Sequence, residues 1–151
     1  MKTQSTFFVR ELTAQYKPLK KAYKTFLNSP ELVSEFLMEK IGSEAKENFV
    51  VIGLNNKNMI VIYSVISQGT VSESIVHPRE VFTAAILGNC SSIIVAHNHP
   101  SGIVDPSKQD IAITKRLNEC GEILSIPLTD HVIVGFNTLD HYSFKENGYI
   151  E

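Results

Sequence analysis

The apolar positions of the chain change period several times, and each change marks an element. From Pro30 onward, Leu32, Val33, Phe36, Leu37 and Ile41 recur at helical spacing. Ser29 can cap that helix, Pro30 suits its first turn and Gly42 can end it, so the pattern predicts an amphipathic helix over 30–41. Phe49 to Leu54 and Met59 to Ser67 are runs rich in Val and Ile. The turn cluster Asn55-Asn56-Lys57-Asn58 separates them, which predicts a β-hairpin. Gly69-Thr70 opens a loop or a short strand ending near Val76. Pro78 starts a second helix, with Val81, Phe82, Ala85 and Ile86 on one face and Gly88 at its end. Ile93-Ile94-Val95-Ala96 reads as a short buried strand. Asp105-Pro106 reads as the cap and first turn of a third helix running to about Leu124, and Val132-Ile133-Val134 as a last strand. Helices alternating with strands in this order imply an α/β fold with a mixed sheet, in two or three layers. Residues 1–27 show no such period. They read as a tail wrapped on a domain spanning 28–151, with an edge strand or a mobile arm as alternatives.

Composition narrows this picture. A chain of 151 residues, 43% hydrophobic and 20% charged, fits one domain and is too apolar for disorder. It is long enough to bury roughly 68–70% of its unfolded surface without disulfide or metal staples. No apolar run approaches the ~20 residues of a membrane helix. Met1 to Thr6 lacks the apolar stretch of a signal peptide, and the only cysteines are Cys90 and Cys120. A reducing cytoplasm is therefore the expected setting, with both thiols inert in the core. The net charge of −2 argues against a protein that coats nucleic acid. The charge is uneven, however. Lys2, Arg10, Lys17, Lys20, Lys21 and Lys24 make the arm basic against a single acid, Glu11, and the body is acidic. With Tyr16 and Tyr23 interleaved, the arm could make weak nucleic-acid contacts; a short charge run is more often a solubilising face.

The chemistry concentrates in His97-Asn98-His99-Pro100-Ser101-Gly102 and the residues that follow. Side chains at i and i+2 of a strand share a face, with Cα atoms ~6.5–7 Å apart, so His97 and His99 can converge on one ion. Asp110, one turn into the next helix, can fold back to join them. Two imidazoles and one carboxylate leave a fourth position open, as in catalytic rather than structural zinc sites. Zinc held this way acidifies water and polarises a carbonyl, and a hydroxyl near it, here Ser107, can support an oxyanion. The plain alternatives are strand-end histidines bonded to the loop, and a Ser107 that only helps Asp105 cap the helix. Asp130-His131 reads as a turn with local hydrogen bonds before the last strand, or else as an outer group orienting a ligand imidazole. Arg79 and Glu80 read as a structural ion pair, His77 as a helix-entry residue and His141 as an exposed residue of a polar tail.

The pattern His-x-His-Pro, then Ser, then Asp three residues later, resembles the JAMM motif of JAB1/MPN metalloproteases. His97 to Gly102 together with Pro106-Ser107-x-x-Asp110 resembles the RadC family of bacterial proteins. Gly69-Thr70-Val71, His77-Pro78-Arg79-Glu80-Val81 and Asp130-His131-Val132-Ile133-Val134-Gly135 extend the likeness over residues 30–151. The resemblance implies a JAB1/MPN-like (cytidine-deaminase-like) fold, a curved mixed β-sheet flanked by helices with Zn2+ at its rim. His97, His99 and Asp110 would be the metal ligands and Ser107 the oxyanion helper. The general acid/base would be Glu47, just before the first strand, with Glu44, Glu73 and Glu80 as rivals. Asn98 stands where JAMM deubiquitinases carry Ser or Thr, so a ubiquitin-like isopeptidase specificity does not carry over. Longer RadC proteins have an N-terminal helix-hairpin-helix region, for which this chain has no room, so it reads as a short form.

The expected function is that of a zinc-dependent metallohydrolase acting on a peptide or isopeptide bond of a peptide or protein substrate. The rival expectations are a nucleic-acid-binding factor tied to DNA repair or mobile elements, and a non-catalytic scaffold. No membrane partner is expected. Oligomeric state stays open, since exposed strand edges could pair two copies.

Overall fold

The computed structural model describes residues 11–13, 15–18, 26–69 and 76–151. Most of the basic arm lies outside them, as do the loop or short strand expected after Gly69 and the rival Glu73. Lys17 and its described neighbours are exposed.

Eight elements follow in the order α1 (Pro30–Lys40), β1 (Glu47–Leu54), β2 (Ile60–Gly69), α2 (Pro78–Leu87), β3 (Ser92–His99), α3 (Lys108–Leu124), β4 (Leu128–Gly135) and β5 (His141–Ser143). The five strands form one mixed sheet in the order β2-β1-β3-β4-β5. β3 and β4 pair in parallel, and the other neighbours are antiparallel. A parallel pair needs a crossover, and α3 supplies it.

Three layers result, because the strands alternate apolar side chains to both faces. Val50, Ile52, Leu54, Ile94, Ala96, Val132 and Val134 turn to one face and meet Val33, Phe36 and Leu37 of α1. Phe49, Val51, Ile93, Val95 and Ile133 turn to the other and meet Val81, Phe82 and Ala85 of α2 and Leu117 of α3. β1, β3 and β4 are buried almost throughout, which is why they read as unbroken apolar runs. β2 is one of the two edge strands and is only partly covered.

The predicted helix and hairpin at the start of the domain are present. Ser29 caps α1, its side chain accepting from the Leu32 amide. Asn55 Oδ1 accepts from the Lys57 and Met59 amides, at 2.9 and 3.0 Å, and so closes the hairpin turn. Leu27, the last residue of the expected tail, is buried among α1 and β1, and Phe26 bridges to Met59.

Three expectations need correction. The third helix begins at Lys108, not at Asp105-Pro106, because Ser107 and Asp110 form a reciprocal capping box that Asp105 cannot match. Asp130-His131 is not a turn: β4 begins two residues earlier, and both residues lie within it. The tail holding His141 is not simply exposed. His141 opens β5 and is partly buried, and beyond it Phe144 and Ile150 enter the core. Single apolar residues spaced along a polar run give no period to read.

Candidate metal centre

The alternation of β3 sets the site. His97 continues the face of Ile93 and Val95, which α2 and α3 cover, so its side chain lies fully buried beside the start of α3. His99 follows on the same face, at the rim. The crossover loop returns the chain to the N-terminus of α3, where Asp110 is the third helical residue. Gly135 lets this loop approach the end of β4. A Cβ there would stand 2.9 Å from the Gly102 carbonyl oxygen and 2.6 Å from Thr138 Cγ2. Gly102 itself takes φ +83°, a left-handed turn that glycine accepts without strain.

Three ligand atoms then converge. His97 Nε2 and His99 Nε2 are 3.0 Å apart. Asp110 Oδ1 is 3.2 Å from His97 Nε2, and Asp110 Oδ2 is 3.6 Å from His99 Nε2. Tetrahedral zinc with bonds of ~2.0–2.1 Å needs donor atoms about 3.3–3.4 Å apart, and the observed edges bracket that spacing. Protonation supports the same reading. His99 Nδ1 lies 2.7 Å from the Ile103 carbonyl oxygen, which carries no proton. Nδ1 must therefore donate, and the neutral ring turns a bare Nε2 lone pair inward. A bare nitrogen beside a second imidazole and a carboxylate is a donor set that attracts a cation. The side chains of His99 and Asp110 keep 16% and 13% exposure, so the cluster opens to solvent on their side. Among the described residues, these three form a group that could hold a metal ion.

The electrostatics agree. Burial opposes charge on His99, but the Asp110 carboxylate, the Ile103 carbonyl and the Glu47 charge outweigh it and hold the ring above the ordinary histidine value. Burial likewise works against an ionised Asp110, but the His97 and His99 imidazoles beside it hold it far below the usual carboxylate range.

The remaining expected residues fall as follows. Ser107 is the N-cap of α3. Its Oγ donates to Asp110 Oδ2 at 2.7 Å and accepts from the Asp110 amide at 3.1 Å, so in this conformation its proton points at the carboxylate. Glu47 opens β1. Phe49 pairs with His97, so Glu47, two residues earlier on the same face, comes level with His99. Glu44 sits in the turn before β1, where its carbonyl accepts from Asn98, and Glu80 is exposed on α2. Arg79 is exposed beside it, and His77 is the N-cap of α2 without a side-chain cap bond. Burial pushes the Cys90 thiol up, away from the reactive thiolate. Cys120 is only partly buried.

Two features go beyond the sequence reading, which takes Asn98 only as a departure from a motif and holds an outer-group role for Asp130-His131 only as an alternative. Asn98 points to the opposite face from the histidines and pins the entry to β1. Its Oδ1 accepts from the Asn48 amide at 2.7 Å, and its Nδ2 donates to the Lys46 and Glu44 carbonyls at 2.9 and 3.2 Å. The residue between the two histidines thus anchors the segment that presents Glu47. The second feature is His131, fully buried, with Nε2 2.9 Å from His97 Nδ1 and Nδ1 2.6 Å from Thr114 Oγ1. Its ring stacks on Phe144, with centroids 4.5 Å apart, and burial holds it well below the ordinary histidine value. Extending the last apolar strand back by two residues would have put His131 on the His97 face.

A mixed five-stranded sheet between helices, with a His-His-Asp group where a strand end meets a helix N-terminus, defines a JAB-type α/β domain. The chain belongs to the RadC-like JAB domain family, which it matches over residues 27–149. It is 47% identical over 128 residues to a UPF0758 protein of Staphylococcus haemolyticus, covering 85% of this chain and 55% of that one. It is 50% identical over 125 residues to a UPF0758 protein of Caldanaerobacter subterraneus, covering 83% and 53%. A UPF0758 protein of Clostridium botulinum is 44% identical over 140 residues, covering 93% and 60%. The chain thus spans little more than half the length of these relatives. Among its described residues, no helix is long and apolar enough to cross a membrane.

Proposed function

We propose that this domain is a zinc-dependent hydrolase of peptide or isopeptide bonds in a peptide or protein substrate. The observation that carries the reading is the His97, His99 and Asp110 triangle, with edges of 3.0, 3.2 and 3.6 Å and one side open. These three residues would hold the ion. Zinc there would supply Lewis acidity, lowering the pKa of water to ~7 and polarising a carbonyl. Glu47 takes a proton from the attacking water and delivers it to the leaving amine. The C–O bond forms first, the C–N bond breaks as the tetrahedral oxyanion collapses, and with both water protons on the leaving nitrogen a free carboxylate and a protonated amine result. Ser107 stabilises the developing oxyanion once its hydroxyl rotates away from Asp110. Asn98 keeps the Glu47 backbone in place.

Elemental analysis of wild type beside His97→Ala/His99→Ala tests the metal. The expected result is about one zinc per wild-type chain, lost in the double variant. A wild-type chain that stays free of zinc after supply at neutral pH would overturn the reading. Given zinc, a panel of peptide and isopeptide substrates follows. Glu47→Gln should keep the metal and lose about 10²–10⁴ in kcat; turnover equal to wild type would remove Glu47 from its role.

A further inference from the structure

We infer that Thr114 and His131 are positioning residues that fix which ring nitrogen of His97 faces the metal. This rests on the reading of His97 as a ligand, and it follows from counting protons along one buried line of hydrogen bonds. Thr114 Oγ1 lies 2.6 Å from the Asp110 carbonyl oxygen and 2.6 Å from His131 Nδ1. The carbonyl has no proton, so the single hydroxyl proton must lie between the two oxygens; pointed elsewhere, it would leave two oxygen lone pairs facing each other. Thr114 therefore accepts from His131, and Nδ1 of His131 carries hydrogen. His131 is fully buried, between Phe144 and Phe49, and among the described residues no carboxylate is bonded to its ring. The neutral ring then offers a bare Nε2 to His97 Nδ1 at 2.9 Å. His97 must donate from Nδ1, which leaves its Nε2 without a proton, beside Asp110 Oδ1 at 3.2 Å and His99 Nε2 at 3.0 Å.

The line begins and ends at Asp110, since its backbone carbonyl directs the proton order and its carboxylate shares the site that order prepares. The Ile103 carbonyl does the same for His99 in one step. His97, with no backbone oxygen bonded to its Nδ1, needs two intermediaries. The hydroxyl of Thr114 thus controls the metal site without touching it. Thr114→Val keeps the shape and removes the oxygen. His131 can then shift its proton to Nε2, and His97 is driven to carry its own on the metal-facing nitrogen.

The test is imidazole 15N NMR on the metal-free protein, with zinc affinity measured by competition against a chelator. Wild type should show His97 protonated on Nδ1 and bare on Nε2, and His131 likewise. Thr114→Val should reverse this order in at least His131 and weaken zinc binding by about 10–100-fold. Thr114→Ser, which restores the hydroxyl, should return both readouts toward wild type. A metal-free wild type with hydrogen on His97 Nε2 would overturn the inference, as would a folded Thr114→Val protein that binds zinc as tightly as wild type. Failure of wild type to bind zinc at all would instead strike the proposed function, while the NMR would still decide the proton order.

Discussion

Asp130 illustrates how one side chain can be well bonded and still unfavourable as a charge. Its carboxylate accepts from the Ser143 hydroxyl at 2.7 Å and from the His131 and Lys145 amides at 2.7 and 3.0 Å. Burial nevertheless outweighs those three bonds and raises its proton affinity. The sign for stability follows. Between the unfolded value of about 3.9 and the higher folded value, the folded chain binds more proton than the unfolded one. Its contribution to stability therefore falls as pH rises through that window and stays level beyond it. Asp130→Asn, which keeps an acceptor for the two amides, should gain on wild type as pH rises from 4 to 7. Urea unfolding at the two pH values measures the gap, and a gap independent of pH would show that the native carboxylate costs nothing to ionise.

At the level of elements, two short devices hold the site. The first is the cap of α3. Ser107→Ala removes the side-chain acceptor of the Asp110 amide and should cost about 1 kcal/mol in unfolding free energy. If Ser107 also supports the oxyanion, kcat should fall by about 10²–10³ as well, so thermal and kinetic assays separate the two roles. The second is Asn98, which ties the end of β3 to the entry of β1. Asn98→Ala strands an amide and two carbonyls, each costing about 1–3 kcal/mol if water does not replace the partner. It should lower stability by more than the cap variant while leaving zinc bound, as read by urea unfolding and metal content. These devices also show where the sequence was readable. His97, His99 and Asp110 were legible because strand period and helix spacing are local rules acting on donor side chains. The α3 start was misplaced because Asp105-Pro106 obeys the same local rule as Ser107, and only the reciprocal bond to Asp110 decides between them. β5 and the partnership of His131 with Thr114 were invisible because each depends on contacts between distant segments. Asn98 was read as a departure from a motif because its role lies on the other face of the strand.

Taken whole, the described part of the molecule is a three-layer sandwich whose central strand carries two of the three candidate metal ligands. Ligand binding to the folded state alone adds about 2.7 kcal/mol at a hundredfold excess over Kd. For a chain of this length, that should raise Tm by about 5–11 °C, a rise that His97→Ala/His99→Ala should abolish. Hydrogen exchange should show the amides of β1, β3 and β4 as the slowest, opening only with global unfolding, and the outward amides of β2 as much faster. A β3 that exchanges as fast as β2 would contradict a core built around it. The two-residue alternation along β3 has a further consequence. It acts as a reading frame: Ile93, Val95, His97 and His99 are written in one phase, and Ile94, Ala96 and Asn98 in the other. Insertion or deletion of one residue within the strand would swap the phases, turning the clamp toward α3 and the histidines toward α1. Such a lesion should abolish metal binding and folding together, whereas the same insertion in the 55–59 turn should be tolerated. The genetic tolerance of the domain to length change is thus set by a parity rule, and libraries that vary it should be confined to its turns.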